Sequence, residues 1–312
     1  MCSVKEIRDF DSFYELIEYF STEEKCVDYL AQLRWNGEPT CIHCGHNECY
    51  ELNTTSRGKR WKCKSCRKQF SVRVGTIFED SKLPLRKWFI AIYLITAHKK
   101  GISSHQLSRD LKITQKTAWF VLQRVRHAFA PNNDKFSSDV EIDETYIGGK
   151  EKNKHANKRT KGTQGRSSKT KTPVLGIIER NGKVFAVPVT NTRKNNIVPV
   201  MRAKVEKGVN VFTDEYGAYK SLRGDYNHSI VKHSAGEYVN GNAHTNNIES
   251  FWAFLKRGLT GIYHHVSPKH LDKYVNEFTF RFNNKDLSEG SRFDVLLANT
   301  NGKRLDYKTL KA

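Results

Sequence analysis

Residues 140–149, VEIDETYIGG, decide how this chain is read. Val140–Ile147 alternates in polarity with a period of two, the signature of a half-buried strand, and it carries a carboxylate, Asp143. Downstream, apolar runs at 174–178 and 183–189 flank Asn181-Gly182, the dipeptide that most strongly favours a hairpin turn. A further short strand at 209–214 ends on a second carboxylate, Asp214. Helical segments are expected at 195–207, 216–222, 245–258 and 268–282. Strands and helices mixed in this order predict an α/β (α+β) domain. Between its first two strands, 150–171 hold nine Lys or Arg and one acid, Glu151. This basic insertion, 150–172, supplies +8 of the chain's net +20.

Upstream the period is helical. Apolar positions at Phe13, Leu16, Ile17 and Phe20, then at Cys26, Val27, Leu30 and Leu33, predict two short helices with a break near Ser21. Three more helical blocks follow at 85–98, 103–111 and 114–129, with Gly101 closing the first and Ser103 and Thr114 placed as N-caps. The run ISSHQLSRDLKITQKTAWFVLQRVRHAF, 102–129, has the form of a helix-turn-helix broken at Lys112-Ile113. In that motif the second helix enters the major groove, which makes Gln115, Lys116 and Trp119 candidate DNA contacts. A helical bundle produces the same pattern without DNA. Pro131, Asn132 and Asn133 mark the boundary before the strands.

Residues 36–72 lose the helical period and become rich in Cys, Gly, Asn, Lys and Arg, a loop-dominated module that needs something other than a core. Cys41-x2-Cys44 and Cys63-x2-Cys66, separated by 18 residues, match the spacing of a four-cysteine zinc site. Four protein ligands leave no open position, so the zinc is expected to be structural. His43 and His46 are then bystanders, and Cys2, Cys26 and Cys49 unliganded. Arg57, Lys59, Arg60, Trp61, Lys62, Lys64, Arg67 and Lys68 surround the site, an aromatic among cations that suits phosphate contact. A solvated charged face is the plainer alternative.

A third carboxylate, Glu249, opens the helix in HTNNIESFWAFLKRG, 244–258. Acids at strand ends and on a neighbouring helix can converge on two divalent cations about 3.5 to 4 Å apart that clamp both oxygens of a phosphoryl displacement. Such hard cations, Mg²⁺ or Mn²⁺, take carboxylate oxygens. On a helix, Ile248, Phe251, Trp252, Leu255 and Leu259 form one apolar stripe, with Glu249 and Lys256 about 20° apart beside it. Asn246 lies one turn before Glu249 on the same flank. Taken singly, such acids are usually caps or surface charges. Trp252, Phe278, Phe280 and Phe282 are core candidates, and Tyr263 and Arg281 weaker candidates for DNA contact.

The 312 residues suffice for two or three folded units. The longest apolar run, 89–95, is far too short to span a bilayer, and the acidic, aromatic N-terminus does not read as a signal peptide. A cytoplasmic protein is expected. With 53 Lys plus Arg against 33 Asp plus Glu, the default partner is a polyanion.

The runs VEIDETYIGGKE, TDEYGAYKSL and HSAGEYVNGNAHTNNIESFWAFLKRGLTGIYHHVSPKHLDKYVNEFTFRFNN closely resemble bacterial insertion-sequence transposases of the zinc-ribbon, integrase-like group. The resemblance implies an RNase H-like catalytic fold of the DDE superfamily. Asp143 and Asp214 match its first two acids and Glu249 its third, with Lys256 two turns on. Asn246 or Asn247 competes for the third place, since some members carry Asn there. It further implies a DNA transposase that binds terminal inverted repeats, frees a 3′-hydroxyl at the element's end and joins it to target DNA by direct transesterification. Mg²⁺ or Mn²⁺ is then expected on Asp143, Asp214 and Glu249, with Lys256 and Asn246 completing the catalytic set. DNA contacts are expected at Arg60, Lys62, Lys64, Gln115, Lys116, Lys158, Arg159 and Arg257, and at least a homodimer on double-stranded element ends and target. The expected domains are N-terminal helices (1–35), zinc ribbon (36–76), helix-turn-helix segment (77–131), RNase H-like domain (137–290) and C-terminal tail (291–312). The alternatives are a noncatalytic zinc-ribbon DNA-binding regulator and a two-metal nuclease without strand transfer.

Overall fold

Side-chain caps delimit the N-terminal helices. Ser12, Thr22, Ser103 and Thr114 each accept a hydrogen bond from the backbone N–H three residues on, which fixes where four helices start. The computed structural model describes residues 9–55, 58–129, 134–163, 167–222, 224–231 and 244–311. Pro131, Asn132, Asn133, Arg57 and Cys2 lie outside them. In chain order the elements are α1 (Phe13–Tyr19), α2 (Glu23–Trp35), β1 (Cys49–Thr55), β2 (Gly58–Cys63), β3 (Gln69–Phe70), α3 (Leu85–Ala97), α4 (Ser104–Leu111) and α5 (Gln115–Ala128). There follow β4 (Val140–Ile147), β5 (Thr172–Glu179), β6 (Val184–Pro188), α6 (Lys194–Lys204), β7 (Asn210–Thr213), β8 (Asn227–Ile230), α7 (Asn246–Gly258), α8 (Leu271–Asn283), α9 (Glu289–Ala298) and α10 (Tyr307–Lys311). They form two units, Met1–Phe129 with Asp286–Ala312, and Ala130–Lys285.

The first unit is built on an aromatic core. Phe20 lies 4.9 Å from Phe89, and Phe89 5.7 Å from Phe293, ring centre to ring centre. Phe293 belongs to α9, and with Leu296, Leu297, Leu305 and Leu310 also buried, the segment 291–312, expected to be a tail, contributes to the packing of this unit. Tyr93 donates to Glu289 at 2.9 Å, Tyr29 to Asp294 at 2.6 Å, and the buried Arg124 to the Leu305 carbonyl at 2.6 Å. A ten-residue helix with one apolar cluster carries too little period to announce itself in sequence. The expected loop module also has more structure than its composition implied: β1, β2 and β3 form an antiparallel sheet. Trp61 turns inward from it, 5.0 Å from Trp35 and buried, so it is unavailable as an aromatic among phosphate-binding cations.

The second unit is a mixed five-stranded sheet in the order β6-β5-β4-β7-β8, and its α/β class is the one the sequence indicates. β4, β5 and β6 are antiparallel, while β7 and β8 run parallel to β4. The hairpin turns at Asn181, whose φ of 58° is left-handed. Helix α6 packs on one face, over Val140, Ile142, Ile177 and Val211. Helices α7 and α8 pack on the other, over Val174 and Ile178. Alternation along β4 therefore sends Glu141 and Asp143 toward α7. Gly258 lets α7 meet α8 closely, since a Cβ there would stand 2.0 Å from Phe278 Cζ. Arg281 is buried against Glu277 at 2.6 Å and Tyr263 donates to the same oxygen at 2.5 Å, so Arg281 is spent on the core and Tyr263 is tied to that pair. Among the described residues, no helix is long and apolar enough to cross a membrane.

Burial pushes the Asp294 carboxyl from its ordinary 3.8 up to about 7, against the lowering effect of the Tyr29 hydrogen bond. The folded state then holds this proton more tightly than the unfolded chain, so its contribution to stability is full below pH 3.8 and is lost as pH rises to about 7. Urea unfolding of the parent and Asp294→Asn at pH 5 and pH 8 should show the parent losing stability relative to the variant at the higher pH; parallel behaviour would contradict the assignment.

Candidate active site and metal centre

Two short turns build the metal centre. Gly45 N–H bonds back to Cys41 O at 2.8 Å and Cys63 N–H to Lys68 O at 3.1 Å, which folds each Cys-x2-Cys turn around its thiols. Gly45 and Arg67, the residues after each second cysteine, both have positive φ, 75° and 56°. The four Sγ atoms of Cys41, Cys44, Cys63 and Cys66 lie within 4.8 Å of one another, and the Cys41–Cys66 and Cys44–Cys63 separations are both 3.6 Å. Zn–S bonds of about 2.3 Å in a tetrahedron require S–S edges of about 3.8 Å, so the cluster fits zinc. His43 and His46 are exposed and outside the cluster. Cys26 is buried in α2, and the Cys49 thiol points to the His46 carbonyl at 3.6 Å.

The second centre lies on the sheet of the second unit. β7 runs parallel beside β4, so Asp214, the residue after β7, reaches the same edge as Asp143. Helix α7 brings Glu249, and the three acids line one cleft of about 450 Å³ together with Glu215, Tyr216, Gly217 and Thr245. Each has a donor on one oxygen: Trp252 Nε1–H to Asp143 at 2.9 Å, Tyr216 N–H to Asp214 at 3.0 Å, and the Thr245 hydroxyl to Glu249 at 3.4 Å. Burial pushes the Asp143 carboxyl up to about 6, and the charges of Asp214 and Glu249 push the same way. Like charges left facing each other in an all-oxygen cleft suit a divalent cation. Burial holds the Lys256 ammonium below its ordinary range, opposed by the charge of Asp143 and aided by Lys171, so Lys256 is within electrostatic reach of the cleft.

Of the two asparagines, Asn247 is engaged elsewhere, its Nδ2 donating to Glu141 at 2.8 Å, and Asn246 is exposed and does not line the cleft. Three residues shape the site in ways the sequence does not show. Trp252, a core residue of the α7 stripe, also orients Asp143. Gly176 lies opposite Asp143 in the sheet, and a Cβ on it would stand 2.5 Å from Trp252, so the absent side chain seats α7 on β5. Glu141 is fully buried beneath the start of α7.

The candidate DNA contacts divide by geometry. Gln115 and Lys116 are exposed at the start of α5, with Lys116 Nζ 5.6 Å from the Tyr307 ring centre. Arg60 and Lys62 are half-buried on β2, and Lys64 lies 3.7 Å from Glu48. Lys158 and Arg257 are exposed. Arg159 braces the insertion, donating to the Lys152 and Lys154 carbonyls at 3.0 Å each.

Residues 135–283 match the model of the ISXO2-like transposase domain and 21–69 that of the transposase zinc-ribbon domain. An uncharacterised protein in transposable element ISH50 of Halobacterium salinarum is 30% identical over 274 residues, covering 85% of this chain and 92% of that protein. The chain belongs to the ISXO2-like transposase family. A transposase-like protein of Haemophilus influenzae is 29% identical over 106 residues, 34% of this chain and 85% of its own length. In this transposase the zinc-ribbon match covers all four cysteines, Cys41, Cys44, Cys63 and Cys66, which supports a structural zinc on the four thiols.

The purified transposase should carry one zinc per chain by elemental analysis. Cys44→Ser should release it and lower the melting temperature; zinc-free yet equally stable parent protein would refute the site. Gly176→Ala should displace Trp252 and cost about 1 to 3 kcal/mol of stability by overpacking. An unchanged unfolding midpoint would show that α7 is not seated there.

Proposed function

We propose that this transposase binds the terminal inverted repeats of an insertion sequence and catalyses divalent-metal-dependent cleavage and strand transfer of DNA. The convergence of Asp143, Asp214 and Glu249 on one cleft carries the proposal. These three would hold Mg²⁺ or Mn²⁺, which when bound supplies Lewis acidity to the attacking and leaving oxygens of an in-line displacement. The protein's part is orientation. Trp252 fixes the Asp143 carboxylate, the Tyr216 amide that of Asp214, and Thr245 that of Glu249. Lys256, two turns after Glu249, would place a positive charge against the DNA phosphates. Glu249 is preferred to Asn246 because it lines the cleft and offers a charged ligand.

DNA would be held by separate modules: Arg60, Lys62 and Lys64 on the zinc ribbon, Gln115 and Lys116 at the start of the second helix of the helix-turn-helix, and Lys158 with Arg257 on the catalytic domain itself. Arg159, which is exposed and also braces the insertion, would lie on the same surface. Joining two element ends to one target calls for at least two copies of the chain on DNA.

Incubation with end-sequence DNA and Mg²⁺ should give cleavage and joining for the parent, and neither above the metal-free level for Asp214→Asn. Glu249→Gln should behave like Asp214→Asn, and Asn246→Ala should retain activity. Equal cleavage by parent and Asp214→Asn would sink the proposal, and cleavage without joining would identify a nuclease.

A further inference from the structure

Helix α7, which carries Glu249, lacks a cap of its own. Thr245, at its N-cap position, makes no side-chain bond to the first-turn amides. The cap comes from another element. Glu141 on β4, with no solvent exposure, accepts from the backbone N–H of Asn247 at 2.9 Å and of Ile248 at 3.2 Å on one oxygen. Its other oxygen accepts from Asn247 Nδ2 at 2.8 Å and from Arg180 Nε at 3.2 Å. Arg180 also donates to the His244 carbonyl at 3.2 Å, and its guanidinium lies 3.9 Å from the centre of the Phe212 ring. A carboxylate at a helix N-terminus satisfies orphan amides and complements the helix dipole. A buried one in this setting also needs a cation, which Arg180 supplies.

Glu141 stands two residues before Asp143 on the same strand and the same face. One rigid strand thus grips the start of α7 and presents the first acid of the cleft, while Glu249 follows two residues after the amide-capped Asn247. We infer that Glu141 is a positioning residue: its carboxylate, balanced by Arg180, sets the placement of Glu249 relative to Asp143 and thereby the affinity of the cleft for divalent cations. The inference rests on the proposed metal site. Glutamine in its place keeps the volume but has one acceptor oxygen where the carboxylate serves donors on two.

The test is Mn²⁺ titration of the full, zinc-loaded chain, following free Mn²⁺ by electron paramagnetic resonance, with thermal melts recorded in parallel. Glu141→Gln should weaken Mn²⁺ binding by about 10- to 100-fold, the range for outer partners of metal ligands. The double variant Glu141→Gln/Glu249→Gln should bind no more weakly than Glu249→Gln alone, because Glu141 acts through Glu249. Parent-like binding by Glu141→Gln, or losses that multiply in the double variant, would overturn the inference while leaving the metal site standing. Parent-like binding by Glu249→Gln would bring down the metal site and the inference together. Should Glu141→Gln fail to fold, Arg180→Lys decides: it keeps the charge, loses the bridge to His244, and should weaken Mn²⁺ binding several-fold, whereas unchanged binding overturns the inference.

Discussion

The seat of α7 on the sheet is the constraint on which the second unit depends. Three contacts define it: the Glu141 carboxylate under the first-turn amides, the Trp252 indole on Asp143, and the flush passage over Gly176. Each joins the helix to β4 or β5, so the acid on the helix and the acid on the strand share one frame. Parallel pairing of β7 with β4 adds Asp214 at the same edge. The apolar stripe of α7 supplies the burial that holds the helix down, but burial is non-directional and leaves register undetermined. The polar contacts supply the register.

Much of this architecture was legible in the sequence because its signals are local. The period of β4, the Asn181-Gly182 turn, the caps at Ser103 and Thr114, the stripe on α7 and the paired Cys-x2-Cys turns each declare themselves within a few residues. What escaped depends on distant partners. β8, with the sequence NHSI, has neither a β-branched run nor an alternating one, and is a strand because β7 offers it an edge. Helix α9 exists through its packing on α3. The same is true of caps: α3 has no side-chain cap of its own, and Glu23 of α2 accepts from Leu85 N–H at 2.8 Å, as Glu141 does for α7. Capping from across the fold leaves no trace at the helix it caps.

The charge of +20 was informative in total and misleading in detail. Lys59 is paired with Asp28 at 2.6 Å, Arg124 holds the Leu305 carbonyl, Arg281 is buried on Glu277, Arg180 balances Glu141, and Arg159 folds the insertion onto its own carbonyls. Even the insertion's lone acid has work there, since Glu151 accepts from Lys154 at 2.5 Å and from the Thr160 amide at 2.9 Å. These four arginines are thus drawn into structure, as their fork of donors favours. Lys116 and Lys158 remain exposed, and flexible exposed cations suit a non-specific grip on phosphate.

Everything proposed for the cleft turns on Asp143, Asp214 and Glu249 holding a divalent cation together. The most direct test is anomalous diffraction from crystals of the chain with end-sequence DNA, grown in Mn²⁺ and measured on the long-wavelength side of the zinc edge. Manganese density is expected in the cleft, within ligand distance of all three carboxylates. Manganese bound elsewhere, or a cleft in which Glu249 points away from the ion while Asn246 takes its place, would contradict it.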